Sequence, residues 1–239
     1  MKKYLLLIGF LAVFNFCNAQ EYTFGVKGGF NQFSIGDILS FGGSFQQGAP
    51  NETFSPNNEL NIHYGAFLSI SFGNFFIRPE LIFGSINNSY DFPRSTSNWQ
   101  TSKVDFPIHI GYKVFDPIAI YVGPNISFFK EVTLDGANNS KGASPIAYEK
   151  NLTNINIGIM VEFKRFGLDL RYGFPSKEIP TIRNDFHFSD YGINQADILT
   201  YKPSQISLSL NIFLFRTDGD EIDGLFSGLF KSNKCWCPN

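Results

Sequence analysis

The sequence predicts an all-β protein that forms a closed, eight-stranded, antiparallel transmembrane up-and-down β-barrel. Apolar and polar residues alternate along nearly every apolar segment, which is the period of a β-strand. Most of these segments run about 10 to 14 residues, whereas soluble strands average about 5 to 6 and a tilted strand that crosses a bilayer needs about 9 to 11. Short and long connections also follow each other in turn, as they do in outer-membrane barrels.

The first four strands are predicted at residues 22–32, 62–72, 75–86 and 104–114. In the first strand, Phe24 and Val26 alternate with Thr23 and Lys27. The second strand alternates in the same way, with Phe67 as its one misfit. The glycines at 25, 28 and 29 lie inside the first strand with no helix after them, so they favour strand bending or room for large interior neighbours over a phosphate-binding loop.

The last four strands are predicted at residues 118–131, 153–164, 166–174 and 205–215. Short links lie at 73–74, 115–117 and 164–165, and long polar loops lie at about 33–60, 87–102, 132–152 and 175–204. This layout places both ends of the barrel on the short-turn, periplasmic side. An open sheet edge would leave backbone groups unpaired in hydrocarbon, so membrane strands must close into a barrel.

Residues 1–19 are predicted to be a cleaved signal peptide. Lys2 and Lys3 precede an apolar stretch of about 13 residues, and small side chains precede a cut after Ala19. That stretch is shorter than the roughly 20 residues of a membrane-spanning helix. The chain then divides into a barrel domain at 20–215 and a short C-terminal periplasmic tail at 216–239.

The composition excludes several classes of protein. Hydrophobic residues make up 43% of the chain and charged residues 17%, against about 25% charged in ordinary soluble domains. This composition argues against disorder. A net charge of -2 without a basic cluster argues against a nucleic-acid partner. No motif predicts a metal or a cofactor, since the acidic run at 218–223 departs from a calcium loop.

If the apolar face of the strands meets lipid, a set of charged residues points into the barrel. Buried charges are stable only when they are paired, so a set with balanced signs predicts a structural network of ion pairs and hydrogen bonds. Eight strands enclose just enough room for side chains, which disfavours a general porin. The predicted interior network consists of Lys27, Arg78, Glu80, Asp105, His109, Lys113, Glu162, Asp169 and Arg171.

Catalysis requires a nucleophile or an activated water next to a base and its orienting group. His63 near the first long loop and His187 in the last loop are the histidines that a lipid- or peptide-modifying hydrolase would use. His187 lies near Ser189 and Asp190, but neighbours in a loop are not a positioned triad. The sequence therefore assigns no catalytic residue and predicts that the protein is not an enzyme.

Five segments in fixed order carry a resemblance to a known family. They are Phe24-Gly25-Val26-Lys27-Gly28-Gly29, Arg78-Pro79-Glu80-Leu81-Ile82-Phe83-Gly84, Val104-Asp105-Phe106-Pro107, Tyr121-Val122-Gly123-Pro124 and Leu168-Asp169-Leu170-Arg171-Tyr172-Gly173. With these segments the chain resembles the PorT-like group of small outer-membrane β-barrel proteins of Gram-negative bacteria. The resemblance implies an eight-stranded outer-membrane barrel. It also implies that a minority of relatives belong to a secretion apparatus, and it transfers no catalytic residue.

One departure from that group is the tail, because 24 residues follow Phe215. Ile222, Leu225, Phe226, Leu229 and Phe230 fall at helical spacing. The tail is therefore either a short amphipathic helix that contacts the membrane or a periplasmic partner, or a floppy extension. Cys235 and Cys237 are close enough in sequence for a strained disulfide or a soft-metal contact, or they belong to a tail with little role.

The functional expectation is a non-enzymatic integral outer-membrane protein that acts through its long extracellular loops or its tail. Its role would be surface recognition, envelope structure, or a part of a secretion or transport assembly. The expected partners are outer-membrane lipid and lipopolysaccharide, the barrel-insertion machinery, and a secretion or envelope complex. The alternatives are an outer-membrane hydrolase and a soluble ligand-binding β-barrel.

Overall fold

The computed structural model describes residues 20–41 and 51–217. The predicted signal peptide at 1–19 lies outside this part of the chain. The tail from residue 218 onward, with its acidic run and its cysteines, lies outside it as well.

The described residues form fifteen strands and one short helix. In chain order they are β1 (Gln20–Phe33), β2 (Ile38–Ser40), β3 (Thr53–Phe54), β4 (Asn57–Asn58), β5 (Asn61–Phe72), β6 (Phe75–Asp91), β7 (Thr96–Phe115), β8 (Ile118–Phe129), β9 (Thr133–Asp135), β10 (Ala143–Pro145), β11 (Asn151–Glu162), β12 (Phe166–Pro175), β13 (Ile182–Asp185), α1 (Phe188–Tyr191), β14 (Gln195–Ile198) and β15 (Gln205–Arg216). The predicted all-β fold with antiparallel strands is confirmed. Within residues 20–41 and 51–217, no helix is long and apolar enough to cross a membrane.

The eight long strands pair in a ring. Each strand pairs in antiparallel fashion with its neighbours in the order β1, β5, β6, β7, β8, β11, β12 and β15, and β15 pairs with β1. Every strand of the ring therefore has two partners. The turns at 73–74, 116–117 and 163–165 and the start of β1 lie at one end, which we call the turn end. The long connections lie at the other, the loop end.

Side chains alternate between the two faces of the ring along most of each strand. In β8, exposed Ile120, Val122 and Ile126 alternate with buried Tyr121 and other inward residues. The exposed face is apolar on every strand of the ring, whereas most of the buried polar and charged residues point inward. The predicted period of two is thus the pattern that the structure shows.

The prediction of a long polar loop at 87–102 was wrong. These residues extend β6 and β7 into one long hairpin, whose turn is closed by a hydrogen bond from Phe92 N to Ser95 O of 3.3 Å. The hairpin is polar because it leaves the apolar band of the ring. Period-two alternation continues along it, with Trp99 and Thr101 buried.

The other long connections fold over the loop end, and together with the β6–β7 hairpin tip we call them the loop cap (residues 34–41, 51–60, 87–102, 130–150 and 176–204). A four-stranded sheet of β13, β14, β2 and β3 joins two of the connections, and β9 pairs with the hairpin at Trp99. The cap has its own apolar core, which continues onto the ring through Phe33 and Phe129. The core includes Ile38, Tyr90, Trp99, Leu134, Ile179, Phe186 and Ile193.

Candidate functional site

Buried charges form a cluster across the middle of the ring interior. Lys27 Nζ lies 3.1 Å from Glu80 Oε2 and 2.7 Å from Asp169 Oδ2. Arg171 Nη2 lies 2.9 Å from the same two oxygens, so each cation contacts both carboxylates. Tyr121 donates its hydroxyl proton to Asp169 and accepts a 2.8 Å hydrogen bond from Arg171 Nε. Four strands, β1, β6, β8 and β12, are thereby tied together across the ring.

Arg78 extends this cluster toward the turn end. Its Nε lies 3.0 Å from Glu80 Oε1, and its Nη1 lies 3.6 Å from Glu162 Oε1. The guanidinium also lies 3.7 Å from the centroid of the Phe67 ring, a cation–π contact. Because Phe67 is 1% exposed, the contact is shielded from solvent. The contact with Arg78 explains the one break in the predicted alternation of this strand, since Phe67 points inward with the polar residues of β5.

Aromatic rings occupy the interior next to glycines. A side chain at Gly25 would collide with the Phe67 ring, and one at Gly158 would collide with Tyr121. Phe67 also packs edge-on against Phe213, with 6.0 Å between centroids. The glycines in these strands therefore give interior rings the room to lie flat against the wall of the ring. Together with the charges, the rings fill the cross-section.

A second ion pair lies nearer the loop end. Lys103 Nζ is 2.8 Å from Asp105 Oδ2 and donates to Gln205 Oε1 at 2.5 Å. The ammonium group also lies 5.5 Å from the centroid of the Phe33 ring, which belongs to the core of the loop cap. This pair joins the polar interior to the apolar cap.

The turn end opens into a cavity of about 410 Å³. Ser69, Ser71 and Phe76 line its inner part. Lys113 lies near its mouth with a side chain that is 39% exposed and an Nζ atom 3.7 Å from Glu21. This polar vestibule is a candidate binding site at the turn end, the end that the sequence predicts to be periplasmic.

The structure brings together seven of the nine sequence-predicted interior residues and leaves two of them, Asp105 and Lys113, outside the central cluster. Lys27, Arg78, Glu80, Asp169 and Arg171 form the central cluster, with His109 Nδ1 3.6 Å from Glu80 Oε1 and Glu162 at the edge. Asp105 belongs to the second ion pair, and Lys113 lies at the mouth of the vestibule, apart from the cluster. The charges inside the ring still balance, because Lys103 takes the place that was predicted for Lys113.

The geometry around the two candidate catalytic histidines differs. His187 Nδ1 lies 2.8 Å from Ser189 Oγ and 2.9 Å from Asp190 Oδ2, so one nitrogen serves both neighbours, whereas a triad uses opposite nitrogens of the ring. His63 places Ser209 Oγ 2.8 Å from Nε2 and Asn31 Nδ2 3.4 Å from Nδ1. The cavity beside His63 measures about 20 Å³, which is room for about one water molecule.

Metal binding has no geometric basis in the described ranges. No group of three His, Cys, Asp or Glu side chains within residues 20–41 and 51–217 is arranged to hold an ion. The carboxylates of the ring interior instead face Lys and Arg side chains.

Solved structures to which the chain is similar include three named proteins. The outer membrane protein OprG from Pseudomonas aeruginosa aligns with a TM-score of 0.47 and 12% identity over 82% of this chain and 96% of its own. Neisserial surface protein A aligns with a TM-score of 0.43 and 10% identity over 79% and 96%. A deletion mutant of TodX, a monoaromatic hydrocarbon channel, aligns with a TM-score of 0.33 and 8% identity over 80% and 57%. No family model and no curated protein matches the chain.

Sequence reasoning missed the roles of three interior residues. Lys103 was missed because the fourth strand was predicted to begin at Val104, although the inward phase set by Asp105 continues back to Lys103. Tyr121 was not included in the predicted interior network, because its bond to Asp169 joins strands that are far apart in the sequence. Phe67 has the inward phase of Ser69, so the phase alone could have identified it as an interior aromatic residue.

Proposed function

We propose that the protein is an integral outer-membrane β-barrel, closed and eight-stranded, that is neither an enzyme nor a general pore and acts through its loop cap. The observation that carries the proposal is the contrast between the two faces of the ring. The outer face is apolar all the way around, while the charges lie inside and are paired. A soluble barrel would have to expose this apolar face to water, which soluble monomers avoid.

The outer face also has the layering of a membrane barrel. Aromatic side chains cluster near both ends of the strands, and Ile, Leu and Val fill the band between them, as in the aromatic girdles around the roughly 25 Å apolar band of outer-membrane barrels. The turn-end aromatics include Tyr22, Phe24, Phe75, Phe115, Phe163, Phe166 and Phe215, and the loop-end aromatics include Phe30, Tyr64, Phe83, Phe106, Phe128 and Phe174. These two girdles support an orientation across the bilayer.

A lipid-facing charge tests the proposal. Leu210 is 45% exposed in the middle of the band, and Leu60 is 75% exposed outside it. Leu210→Arg is expected to lower the free energy of unfolding in lipid vesicles by about 2–4 kcal/mol, whereas Leu60→Arg is expected to change it by about 0–1 kcal/mol. Urea titration followed by heat-modifiable gel migration measures both. Equal stability of the two variants would contradict the membrane assignment, because an exposed arginine is harmless in a soluble barrel.

The proposed role of the loop cap is recognition of another envelope component, and the PorT-like resemblance makes a secretion or envelope assembly the partner to test. The cap supports this role because it is a folded surface with its own core, rather than a set of free loops.

A photo-crosslinking amino acid at exposed Lys141 in the cap is expected to capture a defined envelope protein in cells. The same probe at Leu210 is expected to capture lipid. Crosslinks from Lys141 to lipid alone would contradict a protein partner.

A further inference from the structure

The outer face of the ring contains an apolar groove of about 660 Å³ on one side. It runs across β7, β8, β11 and β12, where Ile110, Val122, Ile157, Leu170 and Tyr172 line it. The other strands of the ring contribute only its margins, at Phe75 and Ile206. The apolar band is therefore indented on this side.

Three lysines lie at the loop end of the strands that carry the groove. Lys130 follows β8, Lys150 precedes β11 and Lys177 follows β12, and all three are exposed. A hydrogen bond of 2.7 Å from Phe129 N to Lys150 O holds the first two strand ends together. Lys177 Nζ pairs with Glu149 Oε1 at 2.5 Å. Within residues 20–41 and 51–217, Lys130 and Lys150 have no carboxylate partner.

The charge around the loop end is asymmetric. On the groove side, four lysines lie near three carboxylates, because Lys202 pairs with Glu178 next to Lys177, and Glu131 and Glu149 are the other two. On the opposite side, segments 51–61 and 86–92 contain Glu52, Glu59 and Asp91 and no Lys or Arg. An anionic group is therefore attracted to the groove side. A second copy of the chain, related by a two-fold axis through the groove, would bring lysines against lysines.

The distance between the lysines and the groove matches one lipid leaflet. Val122 precedes Lys130 by eight residues and Tyr172 precedes Lys177 by five. At about 3.3 Å per residue and a tilt of about 40°, these spacings correspond to roughly 12–20 Å of height. One leaflet of the hydrocarbon core is about 15 Å thick. Acyl chains whose head group sits at the lysines would thus end in the groove.

We propose that the groove and the three lysines form one binding site for a phosphorylated lipid of the outer leaflet. The phosphate binds Lys130 and Lys150, with Lys177 beside them, and an acyl chain fills the groove between Val122 and Ile157. This inference rests on the proposed function, because it requires the outer face to meet lipid.

Native mass spectrometry of the full-length protein in non-ionic detergent tests the site. The probes are lipid A with both phosphates, dephosphorylated lipid A and phosphatidylethanolamine. Lys130→Gln with Lys150→Gln is expected to weaken binding of the bisphosphorylated probe about 30-fold. The matched control is Lys141→Gln with Lys164→Gln, which removes the same charge elsewhere and is expected to bind as the wild type does.

A second pair of variants tests the groove. Val122→Trp fills it and is expected to weaken binding at least about tenfold, while Leu68→Trp on the opposite face leaves it unchanged. Equal binding of all three probes, or wild-type affinity in the two-lysine variant, would overturn the site. Heat-modifiable migration of the same samples separates the two hypotheses. A heat-modifiable barrel that binds no lipid A contradicts only this inference, whereas a wild type without that migration contradicts the proposed function.

Discussion

Asp169 and Glu80 share two cations in the ring interior. Lys27, Arg171 and Tyr121 all point their donors at the carboxylate of Asp169. Removing one partner of a buried ion pair leaves an uncompensated charge, which destabilises a protein by about 3–5 kcal/mol. Asp169→Asn keeps the size of the side chain and removes its charge, so only Glu80 then faces the two cations. We expect the free energy of unfolding in vesicles to fall by that amount.

The control for this substitution is Asp116→Asn in an exposed turn. Surface changes of this kind usually alter stability by about 0.5 kcal/mol or less. Urea titration of both variants gives the comparison. If Asp169→Asn unfolds at the same urea concentration as Asp116→Asn, the central cluster does not hold the ring together.

The face to which a side chain points could be predicted from the sequence wherever the phase of the strand was known. Lys27, Glu80 and Asp169 could be assigned to the inward face because their neighbours in the strand are apolar. The phase does not give the position of a residue along the axis of the ring, however. Lys113 shares the inward phase of Asp105, yet it reaches the mouth of the vestibule because it lies close to the turn. Pairing partners were not predictable, because they depend on how strands that are far apart in the sequence are staggered.

At the scale of elements, the loop cap is the part that the sequence did not reveal. Its strands β2, β3, β4, β9, β10, β13 and β14 are two to four residues long. A period of two cannot be recognised over so few residues. Their partners are also distant, since β2 pairs with β14. The long strands of the ring, in contrast, repeat the period often enough to be located from the sequence.

A pair of tyrosines makes the stability of the cap depend on pH. The hydroxyls of Tyr148 and Tyr201 lie 3.1 Å apart. Burial raises the pKa of Tyr148 above its ordinary value of 10.0, and burial together with the neighbouring Tyr148 raises the pKa of Tyr201. Because the folded cap holds these protons more tightly than the unfolded chain, its stability is full below pH 10 and falls as the pH rises above that value.

We therefore expect the cap to open under alkaline conditions, with the two tyrosines ionising as it opens. Phenolate absorbance during a pH titration measures the ionisation, and limited proteolysis measures the opening. Tyr148→Phe with Tyr201→Phe is expected to remove the late-ionising phenols and to raise the pH at which the cap becomes cleavable. Ionisation of both tyrosines at the ordinary pKa in the wild type would contradict the prediction, because it would show that the folded cap does not raise the pKa of either tyrosine.

For the whole molecule, three regions follow each other along the interior of the ring, from the turn end to the loop end. The vestibule ends at Phe76, the charged cluster fills the middle of the ring, and Phe33 and Phe129 join the cap above it. Eight strands enclose an interior that side chains can fill, and here side chains fill its middle. Water should therefore enter from the turn end only as far as the vestibule, and no ion should cross.

Cysteine labelling locates the end of the water-filled part. Cys17, Cys235 and Cys237 are first replaced by serine. Ser71→Cys lies in the vestibule and is expected to react with a membrane-impermeant thiol reagent added to the periplasmic side, and not with reagent added outside the cell. Ser127→Cys, at a position that is 0% exposed beyond the charged cluster, is expected to stay unlabelled from both sides.

The labelling result discriminates between a sealed barrel and a channel because the two make opposite predictions at Ser127. In a channel, the reagent would reach this position from at least one side, and purified protein in a planar bilayer would carry a steady current. In a sealed barrel, Ser127→Cys reacts only after denaturation, and the bilayer stays silent. Labelling of Ser127→Cys in the folded protein from the periplasmic side, together with a steady current, would therefore refute the assignment of function to the loop cap alone, since a path through the ring would then exist.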